Sequence, residues 1–394
     1  MKAGWRTSLL ADVLIKTETA NPQLAPAKKF RYVDVSRVSN QTFQIEATQE
    51  LLGKDAPSRA RKVIKSNDIL FATTRPTLQR IAIVPDELNG EVCSTGYFVL
   101  RPCADVNHRF LFYFLFTDSF SGEMAKLQKG ASYPAVTDGE VRNQKISYPA
   151  VGEQQRIVAI LDEAFDGIAT TKANAEKNLR NANHLFGSYL QSVFGQNEEQ
   201  VELSQVTTDI SDGDHSPPPK STSGVPFITI SNIDKATRRI NFDDTFTVSA
   251  EYFAKLKPNR KPRRGDVLYT VTGSLGIPVL VDHDSEFCFQ RHIGLVRPNA
   301  STDSRWLNYA LLSPHVLAQA NSRATGTAQK TVSLSVLRSI LVPKVVLKTQ
   351  RIVASRLAEL EFETQRLESL YQQKLTALAE LKKSLLHEAF SGRL

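Results

Sequence analysis

The sequence predicts an α+β fold: two similar mixed α/β domains joined by two long helices that form an antiparallel coiled coil, a tandem repeat with pseudo-two-fold symmetry. Two observations predict it. Short segments of the first half of the chain return in the second half in the same order, and each half ends in a long, heptad-spaced helical pattern. The first observation defines the domains, and the second defines the helices that join them.

The internal repeat is the size of a domain. Six segments recur at offsets of 195 to 198 residues. Solenoid repeat units are only about 20–45 residues long, so this spacing indicates two tandem domains instead. The recurring pairs are Tyr32–Ser36 with Phe227–Ser231, Asn67–Phe71 with Gly265–Tyr269, Leu100–Pro102 with Val296–Pro298, Arg109–Tyr113 with Arg305–Tyr309, Gln155–Ala159 with Gln350–Ala354, and Ser188–Phe194 with Ser384–Phe390.

The first part of each repeat alternates short strands with turns. Runs of β-branched and aromatic residues are bounded by Gly, Pro, Asn and Asp, which is typical of strands. One amphipathic helix is then expected at Arg109–Leu127 and its counterpart at Arg305–Asn321. The predicted strands are Phe30–Val35, Asp68–Thr73, Arg80–Val84, Tyr97–Leu100, Pro226–Ser231, Asp266–Thr272, Ile277–Val281 and His292–Val296.

The last part of each repeat predicts a long helix with a coiled-coil seam. Neither stretch contains proline, and Pro149 and Pro343 lie just before them, where a helix can begin. We therefore expect domains at 1–150 and 197–345, and helical segments at 151–196 and 346–394, whose pairing sets the distance between the domains. The expected seams are Ile157, Leu161, Ala164, Ile168, Ala175, Leu179, Ala182, Phe186, Tyr189 and Val193, and Leu357, Leu360, Thr364, Leu367, Tyr371, Lys374, Leu378, Leu381, Leu385 and Glu388.

Composition indicates a soluble protein, and its positive charge is compatible either with a polyanionic partner or with an ordinary surface excess of Lys and Arg. The chain of 394 residues carries a formal charge of +8 and has a pI near 9.3. Three cysteines argue against a disulfide scaffold, and no apolar run is long enough for a leader or a membrane span, so a cytoplasmic location is expected. The sequence also lacks a phosphate-binding glycine loop, a dinucleotide fingerprint, a methyltransferase signature and a metal-ligand cluster. It therefore favours a protein that binds and positions over one that catalyses.

Basic residues are concentrated in a few segments. They lie at Lys28–Arg31, Arg59–Lys65 and Lys257–Arg264, where Lys and Arg either contact phosphates or decorate a solvated loop. A turn followed by prolines, Asp212–Pro219, either presents side chains to a ligand or only crosses the surface. The residues leave both alternatives open.

The whole chain resembles the specificity subunit of Type I restriction–modification systems. The resemblance rests on the tandem repeat, on Asn67–Leu70 and Gly265–Leu268, on Pro149 followed by the EQxRIV-like Glu153–Val158, and on the DGDH-plus-proline loop from Asp212. The chain departs from the pattern at two places. Asn67 replaces the usual glycine, and the second copy, Lys348–Val353, lacks the glutamate.

The resemblance implies that DNA recognition and catalysis belong to different subunits. The two domains are similar to target recognition domains that each read half of a bipartite, asymmetric double-stranded DNA site, and the helices are similar to the spacer regions between them. Two modification (methyltransferase) subunits and the restriction (translocase–nuclease) subunits would be partners, and S-adenosylmethionine, ATP and Mg²⁺ would belong to them. No catalytic or metal-binding residue and no cofactor are expected in this chain. The alternatives are a scaffold that joins two protein-binding domains without DNA, and a methyltransferase fragment that lacks its catalytic half.

Candidate DNA contacts lie in loops next to predicted strand ends and in the basic segments. Arg and Gln can pair bidentately with guanine and adenine edges, and Lys neutralises phosphates. In the second repeat these loops include Asp214–Lys220 and Arg323–Lys330. The candidates are Lys28, Lys29, Arg31, Thr74, Arg75, Arg80, Lys129, Tyr133, Asp214, His215, Lys220, Arg260, Lys261, Thr272, Ser274, Arg291, His292, Arg323, Gln329 and Lys330.

Overall fold

The structure, a computed structural model, describes residues 4–195, 199–215, 218–326 and 329–394. The chain divides into two compact units. The first comprises Met1–Ala175 and Gln373–Leu394, and the second comprises Glu176–Gln372. Each unit therefore contains one globular part and a segment of each of two long helices.

The first repeat contains nine of the strands and five of the helices in the described part of the chain. They are β1 (Arg6–Leu9), α1 (Leu10–Val13), β2 (Lys29–Val33), β3 (Gln49–Leu52), β4 (Ala60–Val63), β5 (Ile69–Ala72), β6 (Ile81–Ile83), β7 (Val92–Ser94), β8 (Tyr97–Leu100), α2 (His108–Phe114), α3 (Asp118–Leu127), α4 (Asp138–Arg142), β9 (Lys145–Tyr148) and α5 (Val151–Phe194).

The second repeat follows the same order with extra strands. Its elements are β10 (Gln200–Glu202), β11 (Thr207–Asp212), β12 (Val225–Ile228), β13 (Ile233–Asp234), β14 (Arg239–Ile240), β15 (Phe246–Val248), α6 (Ala250–Lys255), β16 (Val267–Thr270), β17 (Pro278–Leu280), β18 (Cys288–Phe289), β19 (Ile293–Pro298), α7 (Ser304–Leu312), α8 (Pro314–Arg323), α9 (Leu334–Arg338), β20 (Leu341–Pro343) and α10 (Leu347–Ser391).

Strand pairing is repeated between the two units. The central antiparallel sheets have the orders β6-β5-β8 and β17-β16-β19, and β11 extends the second by one strand. A second sheet in each unit contains one parallel pair, with Tyr32 opposite Val92 and Phe227 opposite Cys288. All eight predicted strands are present, Tyr97–Leu100 with the expected bounds and the other seven with shifted ends, and the tandem repeat of mixed α/β domains is confirmed.

The turn before the central strand explains one departure in sequence. Asn67 and Gly265 both precede this strand and both have positive φ, at 66° and 94°. Asparagine is one of the few residues other than glycine that enter the left-handed region with little strain. The replacement therefore preserves the backbone of the turn.

Each unit has its own core, to which both long helices contribute. In the first unit Leu161 and Phe165 of α5 share a cluster with Leu385 and Leu386 of α10. Arg156 near the start of α5 bonds to the carbonyl of Leu394, at 2.7 Å, so the two helix segments run antiparallel. In the second unit the partners are Phe186, Leu190 and Val193 of α5 with Val353 and Leu357 of α10, again in antiparallel order.

The single amphipathic helix expected after each sheet is wrong. Two helices are present instead, α2 and α3 in the first unit and α7 and α8 in the second. Thr117 and Ser313 interrupt them because their hydroxyls accept hydrogen bonds from Phe120 N and Val316 N, capping the second helix of each pair. Continuous apolar periodicity across the breaks concealed these caps.

The expected seam of α10 is partly wrong, whereas that of α5 is confirmed at all ten positions, each being buried or half-buried. In α10 three of the ten expected positions, Leu367, Lys374 and Leu381, are exposed. The residues that follow them, Glu368, Leu375 and Lys382, lie on the half-buried face instead. At positions 367 and 381 the expected spacing selects leucines over the charged residues that follow them, although a charge can be partly buried when rings or opposite charges surround it.

One recurring sequence match also differs from the structural equivalence. Gln155–Ala159 aligns with Gln350–Ala354 when only the sequences are compared. The buried glutamine at the start of the helix, however, is Gln154 in the first unit and Gln350 in the second. Residue 154 is therefore equivalent to residue 350, an offset of 196. As a consequence Ile352 is exposed, although Ile157, the residue that aligns with it in sequence, is fully buried.

Within the described ranges, none of the helices is both long enough and apolar enough to cross a bilayer.

Candidate nucleic-acid interface

A short loop in the first unit is fixed against the end of β5. Lys129 and Ala135 exchange backbone hydrogen bonds of 2.9 Å in both directions, which close the loop at its base. Val136 N then donates to Thr73 O at 3.0 Å, and Arg75 N donates to Pro134 O at 2.6 Å. The loop 129–135 and the segment after β5 therefore form one surface.

The side chains on this surface combine cations with an exposed aromatic ring. The Arg75 guanidinium lies 4.9 Å from the centroid of the Tyr133 ring and donates to Ser132 O at 3.1 Å. Tyr133 is 71% exposed, and the Lys129 ammonium, 3.3 Å from Glu140, is 82% exposed. An exposed ring beside cations is the arrangement on which nucleobases stack while phosphates are neutralised.

The second unit contains an equivalent loop, 325–331. Thr325 and Thr331 exchange backbone hydrogen bonds of 2.9 and 2.8 Å, and Val332 N donates to Val271 O at 2.9 Å. Gln329 and Lys330 are exposed here, whereas the predicted contacts at Thr327 and Ala328 fall outside the described residues. The Thr272 hydroxyl contacts that of Thr331 at 3.3 Å.

Sequence reasoning missed the glycine that shapes both loops. Gly130 and Gly326 follow the first closing residue and have φ of 106° and 102°. A Cβ at Gly326 would lie 2.3 Å from Gln329 O, so both backbone angle and space exclude a side chain. The glycine recurs at an offset of 196 residues, and this recurrence in the sequence could have revealed its role.

The DGDH loop of the second unit forms a charged cluster. Arg260 lies 3.3 Å from Asp212 and 3.5 Å from Asp214, and His215 contacts Asp212 at 2.8 Å. The Tyr252 hydroxyl donates to Asp214, and burial together with this bond raises the pKa of Tyr252. The following Ser216 and Pro217 fall outside the described residues.

The same cluster holds a second predicted contact. The carbonyl of Asp214 accepts a 3.0 Å hydrogen bond from Arg291 N, which brings exposed Arg291 beside the DGDH loop. His292 follows, and its carbonyl accepts from Val271 N at 3.0 Å. Ser274 lies in the turn after β16, where its carbonyl accepts from the Thr270 hydroxyl.

Several predicted contacts are engaged within their own domain. Arg80 donates to Val38 O at 2.5 Å, and Arg323 donates to Ser339 O at 3.0 Å. Lys220 and Lys261 lie 5.2 and 4.8 Å from the ring centroids of Phe246 and Phe253. These four side chains, like Arg75 and Lys129, contact groups of their own domain.

The first basic segment is separate from loop 129–135. Lys29 and Arg31 lie on β2, and Lys28 immediately precedes it, in the sheet that does not contain β5. Lys29 pairs with Glu50 at 2.7 Å on the surface, and this bond raises the pKa of Lys29. Thr74, by contrast, lies beside the loop because it pairs with Ala135.

In the part of the chain that the structure describes, no group of three or more His, Cys, Asp or Glu side chains is placed to hold a metal ion. The surface is suited to binding a polyanion through its cations and an exposed aromatic ring.

Comparison with known proteins identifies a family. The model of the Type I restriction modification DNA specificity domain matches the chain twice, over residues 2–179 and 202–377. The Type I restriction enzyme HindI specificity subunit of Haemophilus influenzae (strain ATCC 51907 / DSM 11121 / KW20 / Rd) is 31% identical over 118 residues. That match covers 29% of this chain and only 26% of the relative.

Two solved structures are similar over their full length. The HsdS subunit from Thermoanaerobacter tengcongensis has a TM-score of 0.72 at 29% identity, covering 100% of this chain and 98% of that one. A chain from work on complex assembly and conformational transition of the type I R-M system has a TM-score of 0.84 at 29% identity, covering 100% and 99%. The tandem arrangement is therefore shared along the entire chain.

Proposed function

The chain belongs to the family of Type I restriction modification DNA specificity domains, and on that premise we propose that it is the non-catalytic subunit that recognises a bipartite, asymmetric DNA sequence. Its recognition domains are assigned to 1–150 and 197–345, and its helical spacer regions to 151–196 and 346–394. Each domain reads one half of the site.

One observation carries this proposal. The loops 129–135 and 325–331 have the same backbone closure in both units but different side chains. Tyr133 is replaced by Gln329, and Pro134 by Lys330. Since phosphate contacts position a protein and side chains on base edges specify sequence, equal backbones with unequal side chains suit two half-sites of different sequence.

Partners supply the chemistry in this proposal. The specificity chain binds duplex DNA and positions two modification (methyltransferase) subunits and the restriction (translocase–nuclease) subunits in the cytoplasm. S-adenosylmethionine, ATP and Mg²⁺ bind to those subunits, and this chain holds no cofactor. A relative whose structural study concerns type I R-M complex assembly supports the existence of such partners.

The test uses the assembled modification enzyme and a library of methylated target sites. Replacing Arg75 and Tyr133 together by alanine is expected to relax one half of the methylated sequence, because each base contact is worth about 1–3 kcal/mol of discrimination. Lys126→Ala, an exposed lysine on α3, is the matched control and should leave the sequence unchanged.

Two further outcomes decide the class of function. DNA affinity of the full chain should fall steeply as salt rises from about 50 to 200 mM, since phosphate contacts release counterions. A chain that binds no DNA at any of these salt concentrations would be a scaffold. Methyl transfer by the isolated chain would make it an enzyme.

A further inference from the structure

The two units carry different residues at one equivalent position in the turn after the central strand. This position is the third residue after β5 in the first unit, Arg75, and the third after β16 in the second, Gly273. Arg75 N donates to Pro134 O at 2.6 Å, and Gly273 N donates to Lys330 O at 3.3 Å. Both residues have positive φ, at 51° and 75°. The turn therefore keeps its backbone conformation in both units and changes its side chain.

Arginine is an unfavourable residue for this turn. A positive φ strains a residue that has a Cβ, whereas glycine adopts it without strain, as Gly273 does. The Arg75 side chain is exposed, and its contacts are with Ser132 O, at 3.1 Å, and with the Tyr133 ring. Neither Arg75 nor Tyr133 belongs to the hydrophobic core of the first unit. A strained residue whose side chain stays at the surface indicates a binding role rather than a structural one.

Glycine at this position of the second unit leaves a hollow with two side chains at its border. A Cβ at Gly273 would lie 3.5 Å from Gln329 Nε2 and 3.9 Å from Ile230 Cδ1. Gln329 is equivalent to Tyr133, at an offset of 196 residues, so the pair of Arg75 and Tyr133 corresponds to Gly273 and Gln329. The space that a side chain takes in the first unit is therefore open in the second, between an amide and an aliphatic group.

The two border groups match the major-groove edge of an adenine–thymine pair. Adenine presents one acceptor, N7, and one donor, the N6 amino group, and a glutamine amide can pair with both at once. Gln329 is exposed, and its amide has no hydrogen-bond partner among the described residues. Ile230 is half-buried and presents Cδ1 to the same hollow, where it can contact the thymine methyl group. Guanine presents two acceptors, so the amide oxygen of Gln329 would oppose one of them.

The first unit has the opposite preference. A guanidinium has five N–H donors and no acceptor, so it matches the two acceptors of guanine, N7 and O6, and opposes the amino group of adenine. One N–H of Arg75 bonds to Ser132 O, and the Tyr133 ring lies beside the guanidinium. These contacts orient the guanidinium, while its other donors are available for a base.

We propose that the residue at this turn position sets which base pair each domain reads. Gly273, with Gln329 and Ile230, selects an adenine–thymine pair, and Arg75 selects a guanine–cytosine pair. Gln329 Nε2 donates to adenine N7 and Oε1 accepts from the N6 amino group, while Ile230 covers the thymine methyl group and Gly273 leaves room for the edge of the base pair. The inference rests on the proposed function and deepens it, because it names one base pair in each half-site.

The experiment exchanges these residues between the two domains and maps the methylated sites of the assembled modification enzyme. G273R/Q329Y brings the arginine and the tyrosine of the first domain into the second. One adenine–thymine position of one half-site is expected to become guanine–cytosine, with a preference of about tenfold or more, as is typical of one bidentate contact. The reciprocal R75G/Y133Q relieves a strained backbone, so it should fold, and it should lose the guanine preference in the other half-site.

Gly90→Arg is the matched control. It adds the same cation at a positive φ, 85°, where a Cβ meets no described atom within 4 Å. Gly90 precedes β7, and its N donates at 2.8 Å to Ile64 O, near the residues that precede β5, so it lies away from the turn after β5. Both half-sites should therefore be unchanged in this variant.

Modified bases test the two contacts without altering the backbone of the turn. Uracil in place of thymine at the assigned position removes one methyl group and should weaken DNA binding by the parent enzyme about fourfold, the value of one buried methylene group. Ile230→Ala should lose this sensitivity. An adenine analogue with carbon in place of N7 should likewise weaken binding by the parent enzyme and have no further effect on Gln329→Leu.

Three results would overturn the inference. They are a G273R/Q329Y enzyme that methylates the parent's site, changes in the same half-site for both exchanges, and an equal effect of uracil on the parent and on Ile230→Ala. Absence of any sequence-specific methylation by the parent enzyme would instead refute the proposed function, so the two failures are distinguishable.

Discussion

Gln154 and Gln350 make the same three backbone hydrogen bonds in the two units. Gln154 accepts from Asn107 N at 2.8 Å and donates to Asp105 O and Pro149 O, both at 2.8 Å. Gln350 accepts from Asp303 N at 2.7 Å and donates to Ser301 O and Val345 O at 3.2 and 2.7 Å. Each glutamine thereby joins the start of a long helix to the N-terminal cap of α2 or α7.

Gln350→Leu is expected to destabilise the second unit by about 2–4 kcal/mol, since several buried backbone groups lose their partner. Chemical denaturation followed by hydrogen exchange in each unit measures the change. Gln155→Leu, the exposed neighbour of Gln154, is the control and should remain within about 0.5 kcal/mol of the parent. Equal effects of the two substitutions would contradict the assigned role.

Asp266→Ala is expected to cost about 3–5 kcal/mol, because it leaves Arg297 buried without its carboxylate. Arg297 donates to both Asp266 oxygens, at 2.9 and 2.7 Å. Asp284→Ala, which removes the exposed partner of Arg264, should cost less than about 1 kcal/mol. Urea unfolding of both variants measures the two losses of stability. Similar unfolding midpoints would argue against a stabilising role for the buried Asp266–Arg297 pair.

Lys382 should make stability depend on alkaline pH. It lies 4.8 to 5.7 Å from the ring centroids of Phe43, Phe116 and Phe165, and burial together with the charge of Lys172 lowers its pKa. A lysine with a lowered folded pKa disfavours folding while it is charged, so the folded state gains stability as pH rises from the folded pKa to the unfolded value near 10.5.

The Lys382→Met variant should lack this gain. Unfolding free energies measured from pH 8 to 10.5 are therefore expected to rise for the parent relative to the variant. Lys383→Met is the control, since the hydrogen bond to Glu380 raises the pKa of this exposed neighbour and gives the opposite sign. Parallel pH curves for the parent and Lys382→Met would refute the prediction.

The cysteines should differ in reactivity. Burial raises the pKa of both Cys93 and Cys288 to about 12, whereas Cys103 is half-buried. Because the thiolate is the reactive form, iodoacetamide at pH 8 should alkylate Cys103 first and reach the other two only after denaturation. Peptide mass spectrometry over time gives the order, and early modification of Cys93 would contradict it.

Gly326→Ala should damage recognition of one half-site. The substitution places a side chain at a φ of 102° and against Gln329 O, so loop 325–331 must change shape. Methylation by the assembled enzyme is expected to lose sequence discrimination in that half and to keep it in the other. Gly122→Ala on α3, where a Cβ meets nothing within 4 Å, is the control. A variant with an unchanged methylated sequence would exclude this loop from recognition.

The sequence by itself determined the tandem repeat, the central strands and both long helices. These depend on local periodicity and on segments that recur, such as Asn67–Phe71 and Gly265–Tyr269, and neither requires knowledge of distant contacts. The resemblance to a family added the assignment of DNA recognition.

Only the tertiary structure decided which residues occupy the seam and which basic side chains are available to contact DNA. Lys382 and Glu361 lie on the half-buried face of α10 because rings and Arg238 from the globular parts surround them, and leucine spacing cannot reveal such partners. Arg80 and Arg323 appear in the sequence as free cations, yet carbonyls far along the chain bind them. Periodicity shows which residues share one face of a helix or strand. Burial and pairing depend on neighbours that only the folded chain brings together.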